Sequence, residues 1–304
     1  MAESTNTFKT YESIGNREDL IDIITTISPV ETWVTSNTGS KKSMAVYHEW
    51  QTDALDAAAQ NSVQEGFDAA ASAAVPTTRT GNYCQILQKA FTISGTNEAI
   101  NKAGRDSEIA YQTAKKAKEL ARDIEYALVI NATASAGCSN NARLMKGLDG
   151  WISTNCTYGG TSVGASVTLS VGNLNDCLQT IWTAGGFPRY VLCGAFQKRK
   201  ISDFSTNTRN VTADAKKLVQ AVDVFLSDFG ELVIKLHHQM NTTIPSKVII
   251  LGDMDHWNKA WLRPVKRTEL AKTGDATKFQ MIAELTLESL QEAGHGKIAG
   301  LKTA

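Results

Sequence analysis

The chain has 304 residues, with 31 Lys plus Arg against 31 Asp plus Glu, so its formal net charge is zero; 42% of it is hydrophobic, 20% charged and 7% aromatic. That length supports one large domain or two modest ones with a real core. The balanced charge excludes the broad positive field of a dedicated nucleic-acid binder and leaves little long-range repulsion between copies.

No apolar run approaches the ~20 residues of a membrane helix, and the polar start MAESTNTFKT lacks the basic and apolar parts of a secretory signal. Five widely spaced cysteines (Cys84, Cys138, Cys156, Cys177, Cys193) contain no CxxC pair and read as reduced thiols made in a cytoplasm.

In chain order, residues 1–40 read as an arm. They are polar, with anchors at Phe8, Tyr11, Ile14 and Leu20–Ile24 that are too thin to bury themselves. Residues 41–94 have strand character at both ends, in Met44–Trp50 and Tyr83–Ser94, around Asp53–Thr80, a stretch with almost no large side chains. A loop of this length is unusual inside a compact domain, and a hairpin without a core needs another surface.

Residues 104–134 predict one long helix, capped at Asp106 or Ser107, with Ala110, Ala114, Ala117, Leu120, Ile124 and Leu128 at three- and four-residue spacing. About 30 residues make a rod of roughly 45 Å. Beyond it, Gly147–Ile152 precedes a polar loop at 155–166. A helix follows at 173–184, capped near Asn173 or Asn175 and ended by Gly185–Gly186. Arg189–Cys193 reads as a strand and Ala195–Phe204 as a helix. Val222–Asp228 and Glu231–Leu236 form a hairpin, Val248–Leu251 a buried strand, and Gln280–Leu290 an alternating strand with Met281, Ala283, Leu285 and Leu287 on one face. This mixture without strict βαβ spacing is α+β.

Candidate chemistry is sparse. His237, His238, Asp253, Asp255 and His256 are the one metal-like grouping, but adjacent histidines on a strand face opposite ways. Gly159–Gly160 and Gly185–Gly186 continue into no phosphate-binding motif, and Ser170, Ser202 and Ser289 sit in no nucleophile-elbow context. The basic run Lys115, Lys116, Lys118 is followed at once by Glu119, Asp123 and Glu125. It reads as a solvated helix face, suited at most to weak, non-specific contact with nucleic acid. No catalytic, cofactor-binding or metal-binding residue is assigned.

Several stretches resemble the major capsid proteins of tailed bacteriophages with the Hong Kong ninety-seven fold, in particular the phage SU-ten major head protein group. They are TRTGNYCQI (78–86), GRDSEIAYQ (104–112), KELARDIEYAL (118–128), VDVFLSDFG (222–230), WLRP (261–264) and LAKTGD (270–275).

The resemblance implies an arm at 1–40 and an extended β-hairpin loop at 41–83. It implies a peripheral domain at 84–140 and 262–292 with spine helix 104–134, and an axial domain of mixed α/β structure at 141–261 and 293–304. It further implies a non-enzymatic protein assembling through pentamers and hexamers into an icosahedral head around double-stranded DNA. That head would be put together in the host cytoplasm, without a membrane, with separate scaffolding, portal and cement proteins as further partners. The type member of the fold cross-links Lys to Asn; here Lys41 and Lys42 lie near the loop base and no catalytic acid is identifiable. An encapsulin-type nanocompartment shell is the alternative within the fold, and a metal-dependent hydrolase using His237, His238, Asp253 and His256 is the alternative outside it.

Overall fold

The computed structural model describes residues 31–68, 73–158, 167–204, 223–241, 247–272 and 274–303. Most of the expected arm, including Leu20–Ile24, and the pair Gly159–Gly160 lie outside these residues. The elements in chain order begin with α1 (Trp33–Asn37), β1 (Gly39–Lys42), β2 (Tyr47–Thr52), β3 (Thr78–Tyr83), β4 (Gln85–Ser94), α2 (Gly95–Ala99) and α3 (Glu108–Ile130). They continue with α4 (Leu148–Trp151), β5 (Cys156–Tyr158), α5 (Val171–Thr183), β6 (Tyr190–Cys193), α6 (Ala195–Asp203), β7 (Val224–Ser227) and β8 (Gly230–Leu236). The chain closes with β9 (Ile249–Gly252), β10 (Trp257–Glu269), β11 (Ala276–Ser289) and β12 (Gly296–Ala299).

Among the described residues the strands form three sheets: a four-stranded sheet in the order β1-β10-β11-β4, a six-stranded sheet in the order β5-β12-β9-β6-β8-β7, and the isolated pair β2-β3. The long strands β10 and β11 pair antiparallel from Trp257↔Ser289 to Glu269↔Phe279. The register slips around Leu262 and again around Pro264 and Val265; proline cannot donate to a ladder, which suits a break there.

Helix α3 has 23 residues, about 34 Å, and is shorter at both ends than the expected 104–134. Its N-cap is Ser107, which accepts from Ala110 N, and the Glu98 carboxylate takes the neighbouring Ser107 hydroxyl and the Glu108 and Ile109 N–H groups. Those bonds, led by the one from Ser107, hold the Glu98 carboxyl below its usual range. The apolar stripe divides in two: Leu120, Ile124, Ala127 and Leu128 are buried, while Ala110, Ala114 and Ala117 are exposed. The stripe is thus buried only over the second half of the rod; in the first half Glu108 is buried and Thr113 accepts from Arg267, while the alanine face stays open.

The six-stranded sheet is buried on both faces in its centre. Val191 and Cys193 of β6, with Ile249 and Leu251 of β9, pack with α5 and α6. Leu192 and Ile250 point the other way, into the core shared with α3 and β11. This is the period of two expected of a strand, and it makes β6 and β9 the wall between two continuous cores.

Several boundaries move from their sequence positions. Helix α5 is capped by Ser170, which accepts from Asn173 N, one turn before the expected cap. Part of the expected loop at 155–166 is strand β5, which pairs parallel with β12. Strand β10 runs across the expected division at 261/262, from its start at Trp257.

Candidate assembly site

The hairpin of β2 and β3 forms a sheet of its own, paired from Tyr47↔Tyr83 at its root to Thr52↔Thr78 at its far end. The Tyr47 and Tyr83 rings meet at 4.6 Å, tilted by 46°. Gly81 sits where a Cβ would strike Glu49, the His48 carbonyl and the Tyr47 ring at 2.8 Å, so the strands close only over glycine. Arg79 grips Glu49 across the pair, and that bond holds the Glu49 carboxyl below its usual range. Between the strands, the described part of 53–77 is without helix or strand. Its apolar side chains stand in solvent: Leu55 is 99% exposed, Val75 76%, Val63 62% and Phe67 57%.

The root is firmly seated. Asn82 is fully buried; its amide donates to Lys146 O and Leu287 O, each at 2.9 Å, and its oxygen accepts from Lys146 N at 2.9 Å and Tyr83 N at 3.0 Å. Trp50 packs on Trp151 at 5.4 Å. On the four-stranded sheet, one face of β11 presents three buried polar residues, Glu284, Thr286 and Glu288. Glu284 takes Arg143 and Arg263, each at 2.7 Å, and Glu288 takes Lys41 at 3.0 Å.

The segment entering the loop is fixed by a second device. Glu125, on the inward stripe of α3, is fully buried. One of its oxygens accepts Val34 N at 2.7 Å and lies 2.8 Å from His237 Nε2; the other accepts Thr35 N at 2.8 Å and the Thr35 hydroxyl. Burial pushes this carboxyl up, but the bonds from His237, Thr35 and Val34 outweigh it and leave it below the ordinary range. At the other end of α1, Lys259 donates to the Thr35 and Thr38 carbonyls at 2.6 and 2.9 Å, and burial pushes its ammonium down. A five-residue helix is thus held by an anion at its N–H end and a cation at its C=O end.

The metal-like residues of the sequence do not converge. His237 is buried on Glu125, whereas the neighbouring His238 is exposed. Asp253 and Asp255 pair with Arg189, and Asp253 N donates to His295 Nδ1 at 3.3 Å. The His256 ring lies 6.0 Å from that of His295, which burial pushes down to about 4. Among the described residues no group of three or more His, Cys, Asp or Glu side chains is placed to hold a metal ion.

Ser170 is a helix cap, Ser202 lies half-buried on α6, and Ser289 is buried at the end of β11. Gly185, at φ +88°, ends α5 in the left-handed conformation open to glycine. The cysteines are all free; burial pushes the Cys177 and Cys193 thiols to about 12. Lys116 pairs with Glu119, while Lys115 and Lys118 are exposed. Lys41 belongs to the root through Glu288. Sequence reasoning set Glu125 on a solvated helix face, whereas it is fully buried; a charge inside the stripe of Ile124 and Leu128 was the signal of this. It also missed Asn82 and Lys259, for which the sequence carries none.

The family model described as SU10 major capsid protein matches residues 3–302. The major capsid protein of Escherichia phage Phieco32 is 24% identical over 329 residues, covering 92% of this chain and 93% of that protein. Among solved structures, the capsid of Cyanophage A-1(L) superposes with a TM-score of 0.66 at 12% identity, over 96% of this chain and 98% of that one. The holo-SrpI encapsulin complex from Synechococcus elongatus gives 0.59 at 9% identity, over 94% and 92%.

Breaking a buried pair while leaving its partner in place costs about 3 kcal/mol, so Glu125→Gln is expected to lower the denaturation midpoint by that equivalent at pH 7. Because the folded carboxyl lies below its unfolded range, the stabilisation is complete above roughly pH 4.3 and is lost as pH falls through the lower, folded value. The gap between wild type and variant therefore narrows in acid; a gap equal at pH 7 and pH 3 contradicts the assignment. Asn82→Ala leaves the Lys146 and Leu287 backbone groups unmet and is expected to cost about 2 kcal/mol, with faster amide exchange in β2 and β3 and unchanged exchange in α5.

Proposed function

We infer the mode of assembly from one premise: the chain belongs to the SU10 major capsid protein family, matched over residues 3–302, and is a structural protein of the bacteriophage head in the virion. Its α+β fold is the Hong Kong ninety-seven fold of phage capsids. On this reading, copies close through pentamers and hexamers into an icosahedral head around double-stranded DNA. Residues 1–40 serve as the arm and 41–83 as the extended loop. The four-stranded sheet with α3 serves as the peripheral domain, and the six-stranded sheet with α5 and α6 as the axial domain. The division between the two falls best at Trp257, where β10 begins, rather than at 261/262.

One observation carries the reading. The hairpin is clamped at its root, yet the stretch beyond it exposes Leu55, Val63, Phe67 and Val75, which nothing among the described residues covers. Apolar burial contributes roughly 25 cal/mol per Å² before costs, and contacts of this kind, repeated around a closed shell, suffice because many close together. The exposed alanine face of α3 suits close approach by a neighbour. Catalysis has no part in this function; separate scaffolding, portal and cement proteins complete the head, and DNA is met non-specifically. The likeness to an encapsulin is one of fold, and the family match with the Phieco32 relative favours a phage head over a cargo compartment.

Since Thr52 pairs directly with Thr78, residues 53–77 are replaceable by a two-residue Asn-Gly turn without losing the hairpin. The shortened chain is expected to fold, by circular dichroism and thermal melting, and to form no closed particles in negative stain; intact particles would overturn the role given to the loop. Elemental analysis of wild-type particles is expected to find no stoichiometric transition metal, and one metal ion per chain would instead support the hydrolase alternative.

A further inference from the structure

Beneath the hairpin root lies a half-made ion pair. Glu288 of β11 is 3% exposed, and its Oε1 accepts from Lys41 Nζ of β1 at 3.0 Å. Its other oxygen, Oε2, faces His48 Nε2 of β2 at 3.9 Å, and these two buried atoms both lack a hydrogen-bond partner. An N–H···O bond needs a separation of about 2.7–3.2 Å, so hairpin and body stop roughly 1 Å short of one.

Lys41 is the charge that faces the pair from β1. Further along the same face of β11 stands Glu284, already matched by Arg143 and Arg263. Trp50 lies 5.9 Å from the imidazole, and Trp151 behind it carries Lys146 at 4.8 Å from its ring. The His48 side chain is 18% exposed, so solvent protons reach it.

We propose that the His48–Glu288 contact is a proton-operated latch on the extended loop, slack when the imidazole is neutral and closed when it is charged. A neutral ring offers Glu288 Oε2 either a lone pair or an ordinary donor. A charged ring gives this unmet buried oxygen a charge-assisted bond, shorter and about twice as strong. Histidine is the side chain whose charge changes between about pH 5 and 8. Protons bound on closing mean that the latch is engaged in acid and released as pH rises. The latch spans β2 and β11, so closing it fixes the angle at which the loop leaves the body. Its bearing on shell formation rests on the capsid reading; the latch itself does not.

The test is hydrogen exchange of the full-length chain at pH 5.5 and 8.0, corrected for intrinsic rates and read in segments 44–52 and 78–84. Protection there is expected to be about tenfold higher at pH 5.5, the size of the difference between a charge-assisted hydrogen bond and a neutral one. His48→Gln is expected to abolish this pH dependence while leaving the Lys41–Glu288 bond intact. Glu288→Gln, which also removes the ion pair with Lys41, is expected to abolish the pH dependence too; should that variant fail to fold, His48→Gln decides alone. Segment 33–37, held by Glu125, serves as the internal control, its protection expected to be the same in wild type and His48→Gln. Protection in the hairpin that is independent of pH in the wild type, or equally pH-dependent in His48→Gln, overturns the latch. Particle formation, scored separately in negative stain, bears on the capsid reading alone.

Discussion

The position of everything that reaches outward depends on one buried carboxylate. Desolvating Glu125 costs several kcal/mol, and that cost is offset only when both oxygens are fully met. The donors come from α1 and from the turn after β8, so the charge is tolerated only when helix, turn and entering segment are all in place. Lys259 completes the arrangement from β10 at the other end of α1. The chain therefore enters β1, and through it the loop, from a fixed point. A set of apolar contacts would bury the same area without fixing direction, because apolar burial is non-directional.

Against this fixed root stands a tip whose apolar side chains find no cover among the described residues. The contrast follows from what a shell subunit must do. A root that yielded would waste, as lost ordering entropy, whatever the tip gained on a neighbour. A tip that found its own cover would have nothing left to offer. The two cores separated by β6 and β9 supply the rigid frame, since strands buried on both faces have no direction in which to shift without opening a cavity.

How much of this was legible in the sequence depended on whether the signal was local. The stripe of Leu120, Ile124 and Leu128 announced α3, and the run of apolar residues announced β9, because each pattern is set by the element's own period. The coreless stretch after Asp53 was legible for the same reason: the absence of large side chains is a local fact. Strand β10 was not, because its first residues are buried by β1 and β11 while its later ones run exposed, leaving no single alternation. In β11 the alternation marked Leu285 and Leu287 as the core face correctly. It gave no hint that Glu284, Thr286 and Glu288 would also be buried, because partners come from far along the chain: Arg143 reaches Glu284 from 141 residues away and Lys41 reaches Glu288 from 247. The same distance hides the Glu125 clamp, whose partners Val34 and His237 lie 91 and 112 residues away.

The polar character of the seat under the hairpin is best understood by comparing it with the apolar alternative. Trp50 on Trp151 shows that large side chains are available there, and an entirely apolar seat would hold the hairpin as strongly. Hydrogen bonds, unlike apolar contacts, are lost steeply with angle and distance. A root held by Asn82, Lys41 and Glu288 therefore has few discrete settings rather than a continuum. A closed shell places identical chains in environments that are similar but not identical, so each loop must choose among a few directions and hold the one chosen. Directional polar contacts at the root, with an adaptable apolar tip, meet that requirement in a way that neither kind of contact would meet alone.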